Sequence, residues 1–323
     1  MICIALERYM YPTAYSLFFI IGFPANCLSL YVAWVLMKKG NNLAVYLINL
    51  SVGDLLYILT LPVWIWYHGK TVCFVCVFLL FTNFYTSAML LSCIAVDRYL
   101  AIVYPLKFCT FRKRKTAVSM SIAAWIFTLV FNAITVYPDM IYDEENLICL
   151  DLFPLHEKQI IVNTARFVVG FLVPALVVGF CYCRICLDVK RNQTLGSMER
   201  QHVFRLLGCI LLTLYFCFGP VHIMMVMRVL LEDCPYPNWL FVGYKVCVFL
   251  SMLNCLADPL LYCFMSRTGQ ASALNVLHIL RRTWKKECQK EMENLRQSNQ
   301  ILGTATVPIT EATFRTVFST DNL

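Results

Sequence analysis

Long apolar runs separated by short polar linkers dominate the chain. Seven of them, at roughly 15–37, 43–67, 73–96, 117–137, 167–187, 206–227 and 239–265, reach the length a helix needs to cross a bilayer. None alternates with the two-residue period of a strand, so a membrane β-barrel is not expected. Helices remain, because lipid offers no partner for an open backbone. Pro24, Pro62, Pro174, Pro220 and Pro259 fall inside the runs, where neighbouring helices re-satisfy the freed carbonyls. The first run is long, carries Pro24 and Asn26 in its middle and lacks a small-residue cleavage site, so it reads as a span and not as a cleaved leader. Behind the last run, Ala271, Leu274, Leu277, His278 and Leu280 recur at helical spacing ahead of Arg281 and Arg282, the pattern of a short amphipathic helix lying on the membrane. The fold class follows: an all-α membrane protein, a seven-transmembrane helix bundle with a short amphipathic eighth helix.

The linkers orient the bundle. Lys38 and Lys39 follow the first run, Lys107 and Arg112 to Lys115 the third, Lys190 and Arg191 the fifth, and Arg281, Arg282, Lys285 and Lys286 the seventh. The alternate linkers carry Asp139, Asp143, Glu144 and Glu145, then Glu232 and Asp233. The positive-inside rule then sets the N-terminus of this multi-pass membrane protein outside and its C-terminus inside. Expected divisions are a short extracellular N-terminus (1–10), the transmembrane domain (11–265), the amphipathic helix (266–284) and a disordered cytoplasmic tail (285–323).

Composition agrees. The 323 residues are 60% hydrophobic and only 14% charged, against about a quarter charged in soluble domains. The net charge of +8 would suit a polyanion, but its distribution along alternate linkers assigns it to anionic lipid headgroups and leaves no case for nucleic acid. Most of the 17 cysteines sit in apolar runs, where a thiol acts as a small hydrophobe.

An ionisable residue inside the membrane marks function. Asp54 and Asp258 lie well inside their runs, and Asn26, Asn83, Ser87 and Asn254 are buried polar candidates on other helices. Their oxygens would suit a hard cation such as sodium. The competing reading is a hydrogen-bond network that only ties helices together, and a catalytic aspartate pair is a third. Asp97-Arg98-Tyr99 stands at the inner end of the third run, where Arg98 either pairs with its neighbour or snorkels to the headgroups.

These residues together resemble the rhodopsin-family (class A) G protein-coupled receptors, over nearly the whole chain. The resemblance is carried by Asn26 in GFPANCL, Asp54 in LSVGDLLY, Asp97-Arg98-Tyr99, Trp125, Pro174 and Tyr182, Cys217-Phe218-Gly219-Pro220, and Asp258-Pro259-Leu260-Leu261-Tyr262. It implies a disulfide between Cys73 and Cys149, and a second candidate bridge between Cys3 and Cys234. It also implies an outer ligand, a sixth span that swings away from Arg98, rearrangement of Tyr182, Phe218, Pro220, Pro259 and Tyr262, and a heterotrimeric G protein as partner. A receptor kinase and arrestin would act at the tail. Sodium at Asp54, Asn83, Ser87, Asn254 and Asp258 would favour the inactive state. No catalytic residue and no cofactor beyond that ion are implied.

LTLPVWIWY with Trp64, the aspartate of DPLLY and His222 after Pro220-Val221 look like the proton-sensing and lysolipid-like branch. GNNLAVYLINL and TARFVVGFLVP look closest to its G2-accumulation receptor, which is associated with oxidised fatty acids. Leu80 occupies the place where amine receptors carry an aspartate. Arg166, Arg228 and Lys245, with His222 and Trp64, are therefore the candidate site for an anionic lipid-like ligand. Snorkelling of Arg228 and Lys245 and a hydrogen-bonded helix position for His222 are the competing readings. Proton sensing by His68, His156 and His222 is the alternative within the family. A membrane transporter is a distant one, for which no inverted repeat is evident.

Overall fold

This computed structural model describes residues 11–66, 69–105, 107–108, 112–136, 142–143, 148–149, 157–191, 197–231, 238–265, 278 and 281–293. They fall into two compact units, Met1–Ala273 and Leu274–Leu323. In the first, all seven apolar runs form helices long and apolar enough to cross a membrane: Pro12–Lys38, Ala44–Ile65, Lys70–Val103, Arg114–Thr135, Lys158–Lys190, Val203–Leu230 and Val242–Leu261. In the second, residues 281–293 are helical and largely exposed. That helix runs past 284, where the amphipathic segment was expected to stop; most of 266–280 lies outside the described residues.

Lateral packing shows what the helices face. The fourth span buries Ala117, Ser121, Ala124, Thr128, Asn132 and Thr135. It turns Ile122, Ile126, Val130 and Ile134 outward. Polar and small inside, apolar outside is the arrangement for a helix in lipid, where small residues let backbones approach and polar groups bond across helices. Asn132 donates to Thr82 Oγ1 (3.0 Å) and Trp125 to Asn49 Oδ1 (2.9 Å), fixing the fourth span to the third and second. The third span is the most enclosed, with Leu80, Phe81, Phe84 and Tyr85 fully buried.

Three departures from plain α-helix matter for the site. Val168–Leu172 and Thr213–Phe218 are π-helical turns. Each precedes a proline, Pro174 and Pro220, whose missing N–H and ring displace the carbonyl four residues back, Gly170 and Phe216. The amide of Val173 reaches Val168 O, and that of Gly219 reaches Leu214 O, one residue further than in an α-helix. The seventh span is interrupted at Met252–Leu253, between helices Asn238–Ser251 and Asn254–Met265.

Two span ends move. The third helix continues through Asp97-Arg98-Tyr99 to Val103, because Arg98 and Asp97 satisfy each other (2.8 Å). The fifth begins with a helix at Glu157–Phe167, so Arg166 lies within it instead of at its start. Outside the helices, Tyr142–Asp143 and Ile148–Cys149 pair as a two-residue antiparallel ribbon, and Cys149 is bonded to Cys73 at the head of the third span. Cys3 and Cys234 lie outside the described residues.

Candidate functional site

Near the Cys73–Cys149 end, three of the expected cations are buried inside the bundle. Arg166, Arg228 and Lys245 are each about one-twentieth exposed, which removes the snorkelling reading for them. Among the described residues Arg166 makes one hydrogen bond, to Thr135 O at the end of the fourth span (3.2 Å). Its guanidinium lies 3.8 Å over the Phe81 ring. Its Nε has no partner, and no carboxylate pairs with it among the described residues. Arg228 lies 4.6 Å over the ring of Tyr244. A buried guanidinium resting on an aromatic face satisfies only part of its charge.

His222 sits against the same group. Its Nδ1 faces Phe218 O at 2.7 Å. A carbonyl only accepts, so Nδ1 carries a proton, and Nε2 is an acceptor when the ring is neutral and a donor when the ring is protonated. That Nε2 has no partner, nor does the Tyr85 hydroxyl. Phe171 stacks on His222, and Tyr85 meets it edge-on at 6.2 Å. The approach depends on Gly170: a Cβ there would collide with the Tyr85 ring and lie 2.7 Å from His222 Nε2. Trp64 is half-buried and edge-on to Tyr15, with its indole Nε1 unpartnered, and among the described residues no cation lies over its ring. The arrangement offers a fixed cation, a hydroxyl and a ring nitrogen in apolar surroundings, a set of groups chemically suited to an anionic headgroup. His68 and His156 lie outside the described residues.

Midway along the bundle is the carboxylate cluster. Asn83 Nδ2 donates to Asp54 Oδ1 (2.8 Å) and Asn254 Nδ2 to Asp258 Oδ2 (3.2 Å). Asn26 donates to Cys255 O (2.8 Å) at the opened start of the Asn254–Met265 helix. Ser87 is buried one turn from Asn83. Asp54 Oδ2, Asp258 Oδ1, Asn254 Oδ1 and Asn26 Oδ1 are buried without hydrogen-bond partners. Four uncommitted hard oxygens fit a cation such as sodium, and the thiol of Cys255 beside Asn83 Oδ1 (3.8 Å) adds a neighbour that residue type did not flag.

At the other end, Arg98 pairs with Asp97, and Tyr99 packs edge-on against Phe180 and Tyr104. Tyr182 meets Phe204 across the fifth and sixth spans. Phe218 is buried against Phe84 just before Pro220, and Pro259 lies inside its helix. The Tyr262 side chain lies outside the described part.

The model of the 7 transmembrane receptor (rhodopsin family) matches residues 25–262. The chain belongs to that family. The receptor is 36% identical to human G-protein coupled receptor 65 over 84% of this chain and 87% of that one. It is 36% identical to human G-protein coupled receptor 68, over 81% and 75%. Mouse lysophosphatidic acid receptor 6 matches at 30%, over 81% and 82%. These relatives bear out the proton-sensing and lysolipid-like branch. Human probable G-protein coupled receptor 132 matches at 31%, and placement beside the G2-accumulation receptor rests on two short runs alone. The receptor is thus a multi-pass, G protein-coupled membrane protein.

Residue type missed Phe81, Tyr85, Thr135, Gly170 and Phe171. Two of them carried a signal. A tyrosine in the middle of an apolar span needs a partner for its hydroxyl, and a glycine inside a spanning helix marks a close approach.

Proposed function

We propose that the receptor responds to an extracellular lipid-like anion, of the oxidised fatty acid or lysolipid type, and passes the signal to heterotrimeric G proteins. The observation that carries this reading is Arg166: a buried guanidinium with an unpartnered Nε and, among the described residues, no carboxylate paired with it. A ligand carboxylate or phosphate would complete its pairing, with His222 and the Tyr85 hydroxyl in reach of the same headgroup and Arg228 and Lys245 adding field. The name of lysophosphatidic acid receptor 6 supports the chemical class. Arg166→Ala is expected to weaken an oxidised fatty acid's dose response by about tenfold to a hundredfold, the range for a lost charge-assisted bond, at unchanged surface level. An unshifted dose response contradicts the reading.

In this reading the receptor lies in the plasma membrane with its N-terminus outside. Ligand binding shifts the population toward a state in which the sixth span has moved away from Arg98 and the opposite face accepts the G protein. Tail Ser and Thr residues would serve a receptor kinase and arrestin. Sodium among Asp54, Asn83, Ser87, Asn254 and Asp258 would hold the inactive state. Raising sodium is then expected to lower basal signalling in the wild type and to have no effect in Asp54→Asn; equal responses contradict the ion's role.

A second reading, proton sensing, is favoured by the unpartnered Nε2 of buried His222. It predicts that replacing His68, His156 and His222 together removes an acid-evoked response; a response that survives excludes it.

A further inference from the structure

Arg166 keeps its charge inside the bundle with no carboxylate paired to it among the described residues, and the end of the fourth span supplies what stands in for one. That helix stops at Thr135, because Val136 is extended (φ −105°, ψ 105°). The Val136 amide closes the last turn on Asn132 O (2.8 Å). The carbonyls that follow receive no amide from their own helix, and together they form its negative pole. Arg166 Nη2 donates to one of them, Thr135 O (3.2 Å). The Thr135 hydroxyl is spent on Phe131 O (2.8 Å), so the backbone carbonyl is the group that Thr135 offers the guanidinium.

That pole has to stay opposite one particular turn of the third span. The fourth span packs mainly on the second and third. The bond from Trp125 to Asn49 ties it to the second, but Trp125 lies about 10 Å along the helix from Asn132. Close to the pole, Asn132 Nδ2 donates to Thr82 Oγ1 (3.0 Å), and both residues are buried. The next tie to the third span, Thr128 Oγ1 to Met89 Sδ (3.8 Å), is a weak contact to sulfur from a hydroxyl already given to Ala124 O (2.8 Å). Thr82 directly follows Phe81, whose ring lies 3.8 Å under the guanidinium. One hydrogen bond therefore sets the two surfaces that Arg166 touches, a carbonyl and a ring, in a fixed relation to each other.

We propose that Asn132 and Thr82 are the positioning pair that sets the headgroup preference of the Arg166 site, by holding the carbonyl end of the fourth span against the third. The proposal rests on the reading of Arg166 as the headgroup partner. Its physical cause is preorganisation. A guanidinium held between a carbonyl and a ring has already lost its rotamer freedom, so an anion gains the charge-assisted bond without a further ordering cost. With the pair broken, carbonyl and ring move independently, the guanidinium follows one or the other, and the advantage of a charged headgroup falls. A neutral headgroup makes no charge-assisted bond and is indifferent to that orientation.

The test compares G protein activation by an oxidised fatty acid and by its methyl ester at equal surface level. The receptors are wild type, Arg166→Gln, Thr82→Ser, Thr82→Val, and the double variant Thr82→Val with Asn132→Leu. Valine keeps the shape of threonine without the hydroxyl. The double variant removes both partners, which leaves no buried group unpaired and preserves folding. The preference for acid over ester should fall by on the order of tenfold in Thr82→Val and in the double variant, with the ester response unchanged. Thr82→Ser, which keeps the hydroxyl, should keep the preference. A merely structural tie would weaken acid and ester together, so a parallel loss overturns the proposal. A preference that collapses in Arg166→Gln but survives in the double variant overturns the role of the pair alone. No preference in the wild type, or one that survives in Arg166→Gln, overturns the reading of Arg166 and the role of the pair with it.

Discussion

At the scale of single residues, the site is decided by side chains whose partners are incomplete. Among the described residues Arg166 has one carbonyl and one ring where a buried guanidinium has five donors to satisfy. His222 has a committed Nδ1 and an open Nε2. Gly170 lets Tyr85 and His222 close on the fifth span, and alanine there would drive into both rings. Gly170→Ala is expected to destabilise the purified receptor by about 1–3 kcal/mol, the usual cost of overpacking. Its ligand response should weaken as Tyr85 and His222 are pushed apart. Thermal melting in detergent checks the first effect; a melting temperature at or above wild type would show that the rings move aside freely. Arg166 and His222 were legible from residue type because charge and imidazole are conspicuous in an apolar run. Gly170, Phe81 and Tyr85 were not, since their role is a contact between distant segments and no local pattern encodes it.

At the scale of elements, hydropathy located every span because crossing lipid is a requirement on length and composition alone. It misplaced two ends for electrostatic reasons. The Asp97–Arg98 pair carries charge past the apparent end of the third span, and the polar start of the fifth hides a helix that buries Asn163 and Arg166. Hydropathy was also blind to helix type. The π-helical turn Val168–Leu172 lies between Arg166 and the rest of the fifth span. One extra residue in a turn rotates the upstream helix by about 100°. Arg166 therefore faces the bundle because Pro174 keeps that turn open. Pro174→Ala restores an amide that can close an α-helical bond to Gly170 O. It is expected to rotate Arg166 out of the bundle and to reduce the ligand response as far as Arg166→Ala does, with surface level maintained. A dose response equal to wild type would show that the turn is held by something other than the proline.

At the scale of the whole molecule, the sites lie at different depths of one bundle. The cations and His222 are near the disulfide-bonded end, the carboxylates near the middle, and Asp97-Arg98-Tyr99 at the opposite end. The sixth span touches all three levels, through His222 and Arg228, through Cys217 and Phe218, and through Phe204 against Tyr182. Its π-helical turn before Pro220 sits between the first level and the last. An anion that pulls on His222 and Arg228 therefore acts on the element whose movement would open the opposite end. The direct measurement is G protein activation by a matched pair of ligands, an oxidised fatty acid and its methyl ester, in wild type and Arg166→Gln cells at equal surface level. The predicted result is that the acid outperforms the ester at least tenfold in the wild type, and that the two become equal in Arg166→Gln. Equal potency of acid and ester in the wild type, or a preference for the acid that survives in Arg166→Gln, would contradict the assignment of Arg166 as the headgroup partner.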